Sequence, residues 1–495
     1  MKLSLSTAAA LMLTTAASAG GIDRTLNNYA VLFEDGNYVE LGFATVRPDV
    51  SGDYPTTAPI FEGGPRVFNG GSTGGMAEDY STASLSLKYA LNEKLDLGLF
   101  LNQPFGANAF YPDGDYTGLA AEWDSSQIAL VLKYQATPNI SVYGGLRSIE
   151  SQANIVIPNK LVALNTVVPQ SAAQAAAAQA QGAAALAQGG QAQALGAEAQ
   201  ALGALAQQQA AQAAAAAAAQ DFATAQTLGA SAAANGAQAV ALRDQAIALG
   251  ADAQAQGAAA QALGDQALAG FAAGFGGDPI DGPYSYTATT EKDRATSYLV
   301  GVAYERPEIA LRVALTYEAG YTHSFVTTEN VDALPAAQLT SITEIEMPDV
   351  FTLDFQSGVA ADTLVFGSIR HAKWSDWEVR PAGYQAITGD RVTGIDDDVT
   401  TYRLGVGRRI NDQFSAFARV TYEKGNDDVL SRLAPTDGST AFGIGGTYTN
   451  DAFKITGGIE YVTFGDGLDN ADETLATNFS DNKAIAVGLS VGYRF

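Results

Sequence analysis

The chain has 495 residues, with 53 acidic against 27 basic side chains and no cysteine. That charge balance argues against a phosphate-backbone partner, so nucleic-acid binding is excluded, and the lack of thiols removes disulfides, zinc-thiolate sites and cysteine nucleophiles. After the first twenty residues no apolar run reaches the roughly 20 residues of a membrane helix, which excludes a helical membrane protein.

In chain order, Lys2, the weakly apolar stretch Leu3 to Leu13 and the small-residue site Ala17-Ser18-Ala19 read as a secretory signal over residues 1–19. A short membrane anchor is the alternative, but the apolar region is short and ends in small residues. A mature chain starting at Gly20 would then carry a short segment, 20–37, ahead of the first strand.

Fourteen segments that follow alternate with a period of two, the spacing that sends successive side chains to opposite faces of a strand. They lie near 38–46, 80–89, 94–103, 124–134, 139–148, 294–304, 309–318, 350–359, 363–373, 400–407, 413–423, 440–448, 452–461 and 484–495. Short links such as Ala90 to Lys94, Gln135 to Asn139 and Thr449 to Asp451 alternate with longer Gly- and Asp-rich ones. An even strand number and this alternation of link lengths predict an all-β fold, a fourteen-stranded antiparallel transmembrane barrel with short periplasmic turns and long external loops. In a bilayer every backbone polar group must pair internally, and a closed barrel achieves this without an exposed edge.

The two faces differ chemically. Leu95, Leu97, Leu99 and Leu101 share one face with no charge, while the opposite parity across the strands carries Glu40, Lys88, Asp96, Lys133, Asp354, Lys454 and Glu460. Those charges need water or one another, so they are expected in the lumen. The last strand ends on Tyr493 and Phe495. These two form the expected signal for the outer-membrane barrel-assembly machinery.

Strands 1–5 fill 38–149 and strands 6–14 fill 294–495; between them the pattern stops. In 171–270, 47 of 100 residues are Ala. Ala has the best helix propensity, and the scattered Gly residues each cost about 1 kcal/mol. Leu195 and Leu202 stand seven apart, as do Leu242 and Leu249, with Leu228 and Leu263 in register with the latter pair. This supports a helical hairpin or bundle inserted in the third external loop, 150–293. A low-complexity spacer is the other reading.

No catalytic constellation emerges. His323 and His371 have only Ser324 and Ser375 nearby, with no supporting spacing, so an enzyme is not expected, nor are a cofactor or a metal. For a ligand with a carboxylate head, an inward Arg offers a fork that holds both oxygens, and Arg147, Arg312, Arg370, Arg403 and Arg419 face inward by parity. The competing role is wall pairing with Glu40, Asp354, Glu423 and Glu460. An apolar tail needs inward aromatics, and Phe100, Phe366 and Phe417 qualify.

Three segments carry a resemblance. Leu95-Asp-Leu-Gly-Leu-Phe-Leu-Asn-Gln-Pro-Phe-Gly106 followed by Tyr111, Ala129 to Gly145 with its Lys-Tyr, Asn-Ile-Ser and Gly-Gly elements, and Leu364 to Trp377 ending Lys-Trp-Ser-Asp-Trp resemble the FadL-type outer-membrane transporters of long-chain fatty acids and other hydrophobic compounds. The likeness spans most of the chain outside 150–290. It implies a fourteen-stranded barrel that takes up hydrophobic molecules passively, and a monomer in contact with outer-membrane lipid and lipopolysaccharide. It also implies a capture groove between the third and fourth external loops, an exit at a kinked third strand and an N-terminal hatch. Gly98 and Pro104 would mark the kink, or the ordinary end of a strand. Leu161 and Val162 on one side and Leu334, Pro335, Leu339 and Ile342 on the other would wall the groove. Two departures stand out: residues 20–37 are short for a hatch and replace an Asn-Pro-Ala element with Asn27-Asn28-Tyr29-Ala30, and the third loop is far longer than usual. The expected function is facilitated diffusion of hydrophobic molecules, long-chain fatty acids first. A surface adhesin whose insertion does the work is the rival, and a water-filled pore is third.

Overall fold

A computed structural model of the chain describes residues 22–59, 66–275, 282–331, 338–426 and 429–495; the expected signal 1–19 lies outside them. The chain forms two compact units, one of residues 163–277 and the other of the chain on either side.

The larger unit is a closed antiparallel barrel of fourteen strands. They are β1 (Tyr38–Asp49), β2 (Tyr80–Asn92), β3 (Leu95–Asn102, then Gly106–Phe110), β4 (Ala120–Thr137), β5 (Ile140–Ile157), β6 (Asp293–Arg306) and β7 (Leu311–Glu318, then Tyr321–Val331). The second half comprises β8 (Gln338–Met347, then Val350–Ala360), β9 (Thr363–Ala372), β10 (Val399–Arg409), β11 (Phe414–Glu423), β12 (Ser439–Thr449), β13 (Phe453–Phe464) and β14 (Lys483–Arg494). The ring closes where β1 pairs with β14, from Tyr38 opposite Arg494 to Asp49 opposite Lys483.

Side-chain alternation fixes which face meets lipid. On β14, Ile485, Val487, Leu489 and Tyr493 stand exposed on the outside, while Ala484, Ala486 and Ser490 are buried inside. The same parity puts Lys88, Lys133, Lys454 and Glu460 inside and buried. Tyr89, Tyr134, Tyr304 and Tyr422 are exposed at strand ends, where an amphipathic ring suits the headgroup boundary. At the end that carries the short turns, Asn411 and Asn450 each accept two backbone N–H groups, and Ala310 and Asp362 take left-handed conformations (φ 50° and 56°). Such side-chain acceptors replace the ladder partners lost at a reversal.

Two strands continue past the apolar band. The second segment of β7 pairs with the first of β8, and its outward residues include Thr322, Ser324, Glu344 and Glu346. That polar outer face suits water, so the region expected to be a fourth external loop is largely a strand extension.

Inward aromatics lie across glycines on the next strand. Phe366 stands opposite Gly405 and Phe417 opposite Gly445. A Cβ added at Gly405 would come 2.3 Å from the Phe366 ring, and one at Gly445 would come 2.4 Å from Phe417. The two rings also meet edge-on at 6.4 Å. Glycine here provides the room for a ring to lie flat against the wall.

The second unit contains two long helices, α1 (Val167–Ala218) and α2 (Phe222–Phe275). Gln220 turns the chain with φ 62°, and the Asp221 carboxylate accepts the Thr224 N–H, capping α2. Their seam is built of alanine: Ala199, Ala239 and Ala267 are buried, and Asn235 donates to Gln209 across it at 2.8 Å. The leucines expected to form the seam are only half-buried, and Leu186 is exposed. The glycines are not scattered. Within each helix most stand a multiple of seven apart, Gly182, Gly189, Gly196 and Gly203 on α1 and Gly229, Gly236, Gly250, Gly257 and Gly264 on α2, with Arg243 in the one skipped position and Gly190, Gly270 and Gly274 off the period.

Candidate functional site

Residues 22–36 run inside the barrel wall. Tyr29–Phe33 forms a short 3-10 helix whose Val31 and Leu32 are fully buried with Phe100, Val131 and Tyr143 of the wall. Charged and polar side chains complete the attachment. Lys133 donates to the Leu32 carbonyl at 2.8 Å and Lys88 to that of Glu34 at 2.6 Å. The Glu34 carboxylate in turn accepts from Lys454 at 2.5 Å and Arg494 at 3.0 Å. Asn27 and Tyr29 both donate to Glu318, at 2.9 and 2.6 Å.

The segment also completes the broken third strand. Between Asn102 and Gly106 the ladder of β3 is interrupted, with Pro104 in the gap, and Tyr80 to Ser84 of β2 pair with β1 but lack a ladder partner on that side. Residues 22–25 take up the freed backbone groups: Gly106 N–H donates to the Ile22 carbonyl at 2.8 Å and Arg24 N–H to the Pro104 carbonyl at 2.8 Å. The Arg24 guanidinium lies 3.9 Å from the centre of the Tyr80 ring. Pro104 therefore sits at the break, because it cannot donate to a ladder. Gly98 does not mark it: its ladder with β2 and β4 is continuous, and a Cβ there would meet Leu32 at 2.7 Å.

Two cavities flank this segment. One of about 90 Å³ lies between Asn27 to Phe33 and the wall residues Arg312, Asp354 and Arg403. The other, of about 140 Å³, is lined by Ile22, Arg24, Val46, Tyr80 and Gly106. Asp23 borders both. Each has room for a few waters, not for a long hydrocarbon tail.

The five candidate arginines are all inward and buried, and they divide into two sets. Arg147 pairs with Glu318 at 3.0 Å, Arg370 with Asp23 at 2.8 Å and Arg419 with Glu460 at 2.7 Å. Only Glu460 was among the expected partners. Arg312 donates to Gln356 at 3.2 Å and lies 4.8 Å from the Phe33 ring, and Arg403 approaches Thr421 at 3.4 Å. Among the described residues no carboxylate stands within salt-bridge distance of either. Both line the smaller cavity. Asp354 shares that wall, one carboxylate for two cations that it does not contact directly, and an incoming anion would offset the remaining cost of their burial.

The aromatic candidates are packed. Phe100 meets the Tyr29 ring edge-on at 5.2 Å, beneath the N-terminal segment, and Phe366 and Phe417 pack against the wall glycines. The groove candidates are not brought together as one open surface: Leu161 and Val162 are buried, Leu339 and Ile342 are exposed on β8, and Leu334 and Pro335 lie outside the described residues. Tyr493 and Phe495 stack outside the barrel at 6.1 Å. Of the two histidines, His371 is half-exposed beside Thr400, whereas His323 is fully buried.

No family model and no curated protein matches the chain. Among solved structures it is similar to a Pseudomonas aeruginosa FadL homologue at 12% identity, over 94% of this chain and 92% of that one, with a TM-score of 0.56. Two structures of the Pseudomonas putida toluene transporter TodX match at 12% and 14% identity, over 97% and 94% of this chain and 96% and 92% of those, each with a TM-score of 0.50. The chain has the FadL fold. On this fold the N-terminal segment fills the wall gap beside β3, and a long helical hairpin joins β5 to β6.

Proposed function

We propose that this barrel resides in the outer membrane and carries hydrophobic molecules with an acidic head, long-chain fatty acids first, by facilitated diffusion. Arg312 and Arg403 carry this reading: both are buried beside a cavity, share its wall with Asp354, and among the described residues have no carboxylate within salt-bridge distance. A fatty-acid carboxylate would hold both cations while its tail displaces the N-terminal segment. Residues 22–36 act as the plug: their withdrawal merges the two cavities and uncovers the gap beside β3. No energy source is required, because the ligand moves down its own gradient once it is shielded from lipopolysaccharide headgroups and lumen water.

The test is binding of a long-chain carboxylic acid to the full chain in detergent, measured by calorimetry. Replacing both cations, Arg312→Met with Arg403→Met, should weaken acid binding at least about tenfold, because charged hydrogen bonds are lost. Equal affinity in the double variant overturns the assignment.

A further inference from the structure

The three tryptophans of the chain, Trp123, Trp374 and Trp377, gather in one place. Trp123 of β4 meets His323 at 6.2 Å and Phe325 at 5.5 Å, both on the outer segment of β7, and Trp377 at 6.3 Å. All five side chains are buried. Apolar packing alone would make this an ordinary core, but its polar atoms are unmet. Among the described residues, the indole N–H groups of Trp123 and Trp377, the Nε2 of His323 and the hydroxyl of Tyr321 have no hydrogen-bond partner. Buried polar groups are nearly always satisfied, so four left open in one cluster call for an explanation, and a bound polar group is one.

The histidine tautomer says what that is. His323 Nδ1 lies 2.7 Å from the Asp293 carboxylate, which can only accept, so Nδ1 carries the proton and Nε2 presents a lone pair. Burial holds this imidazole below its ordinary pKa and therefore neutral. The cluster thus offers two indole N–H donors, one imidazole acceptor and the Tyr321 hydroxyl, which can do either. A hydrocarbon satisfies none of them, and an ester or ionised carboxylate leaves the imidazole lone pair unmet. A hydroxyl satisfies both kinds, and so does an undissociated carboxyl group. Tyr321 connects the cluster to the plug: it stands edge-on to His323 at 5.3 Å, and its ring lies 6.0 Å from the guanidinium of Arg147, the partner of Glu318 on the cavity wall.

We infer that Trp123, Trp377 and His323 form an outer subsite that takes the hydroxyl-bearing head of an amphiphile, an alcohol or an undissociated carboxylic acid, before the molecule reaches the arginine cavity. This rests on the transport reading and narrows it to ligands with a hydroxyl on the head group.

Because every tryptophan of the chain lies in this cluster, intrinsic emission reports on it directly. The full chain in detergent is titrated with dodecanol, methyl dodecanoate and dodecane. Dodecanol should shift the emission saturably and bind about tenfold more tightly than the methyl ester, which accepts but cannot donate, and dodecane should leave the emission unchanged. His323→Phe should erase the difference between alcohol and ester. Should that variant fail to fold, Trp123→Phe keeps the ring, loses one N–H and should weaken dodecanol by a similar factor. Equal affinity for dodecanol and dodecane, or emission indifferent to dodecanol, overturns the inference. If emission is silent while acid binding still depends on Arg312 and Arg403, the outer subsite alone fails. If that dependence is also absent, the transport reading falls with it.

Discussion

Arg370 and Asp23, 347 residues apart in the chain, form a two-pronged ion pair inside the barrel, at 2.8 and 2.9 Å, with both side chains buried. It ties the N-terminal segment to β9 next to the two cavities. The segment is otherwise held by its backbone bonds to β3, by side chains reaching to its backbone, by Asn27 and Tyr29 on Glu318 and by Glu34, so this pair is the ion pair nearest the gap beside β3. Removing one partner strands a buried charge and should free residues 22–25. Arg370→Met should destabilise the attachment by about 3 kcal/mol, seen as faster amide exchange over 22–33. Its conductance in a planar bilayer should exceed that of the parent. Unchanged exchange would mean that the pair does not hold the plug.

The rings laid across glycines make a second prediction. Gly445→Val puts a branched side chain where Phe417 lies, and its Cβ would also come 2.5 Å from the Gly457 carbonyl oxygen. The expected cost is about 2 kcal/mol, read as a lower urea midpoint for folding into lipid vesicles. The double variant Gly445→Val with Phe417→Ala should recover part of the loss.

His323 predicts a pH dependence for the strand extension beyond the membrane. Burial lowers its pKa, while the Asp293 contact opposes that shift only in part. The opened state therefore binds a proton more readily than the closed one. Stability from the neutral imidazole is present above the ordinary value of 6.5 and is lost as pH falls below it. Amide protection over 322–331, corrected for intrinsic exchange, should drop between about pH 7.5 and 5. His323→Gln should flatten that slope.

The hairpin glycines should be dispensable to its packing. A Cβ at Gly196, Gly203, Gly229 or Gly257 meets nothing within 4 Å. Changing these to Ala should raise helix stability by about 1 kcal/mol each, measured by circular dichroism during thermal melting. Replacing 163–277 by a short linker should leave a folded barrel that still takes up fatty acid. Loss of surface attachment with intact uptake would assign adhesion to the hairpin and transport to the barrel.

Much of this was legible from residue order because a barrel in lipid obeys a period of two. Each of the fourteen segments lies on a barrel strand, and the inward parity of Arg403 or Lys454 follows from the same rule. Ion-pair partners were not legible. Asp23 lies in a segment with no period, and Glu318 sits at the break within β7, so neither carries a parity from which to infer a neighbour. The outer segments of β7 and β8 carry no strand signature in sequence because both their faces mix polar and apolar residues, as a loop does. The tryptophan cluster joins β4, β7 and the loop after β9, a convergence set by barrel closure rather than by local spacing. The seven-residue spacing of most hairpin glycines is written in the residue order but is obscured by the abundance of alanine.

The most direct check is uptake of a labelled long-chain fatty acid by bacterial cells that lack their own outer-membrane fatty-acid transporter and express this chain. Uptake should rise with expression and fall severalfold when Arg312 and Arg403 are both replaced by Met, with the barrel still folded in the membrane. No gain in uptake, or a gain indifferent to those two residues and matched by small polar solutes, would contradict the account.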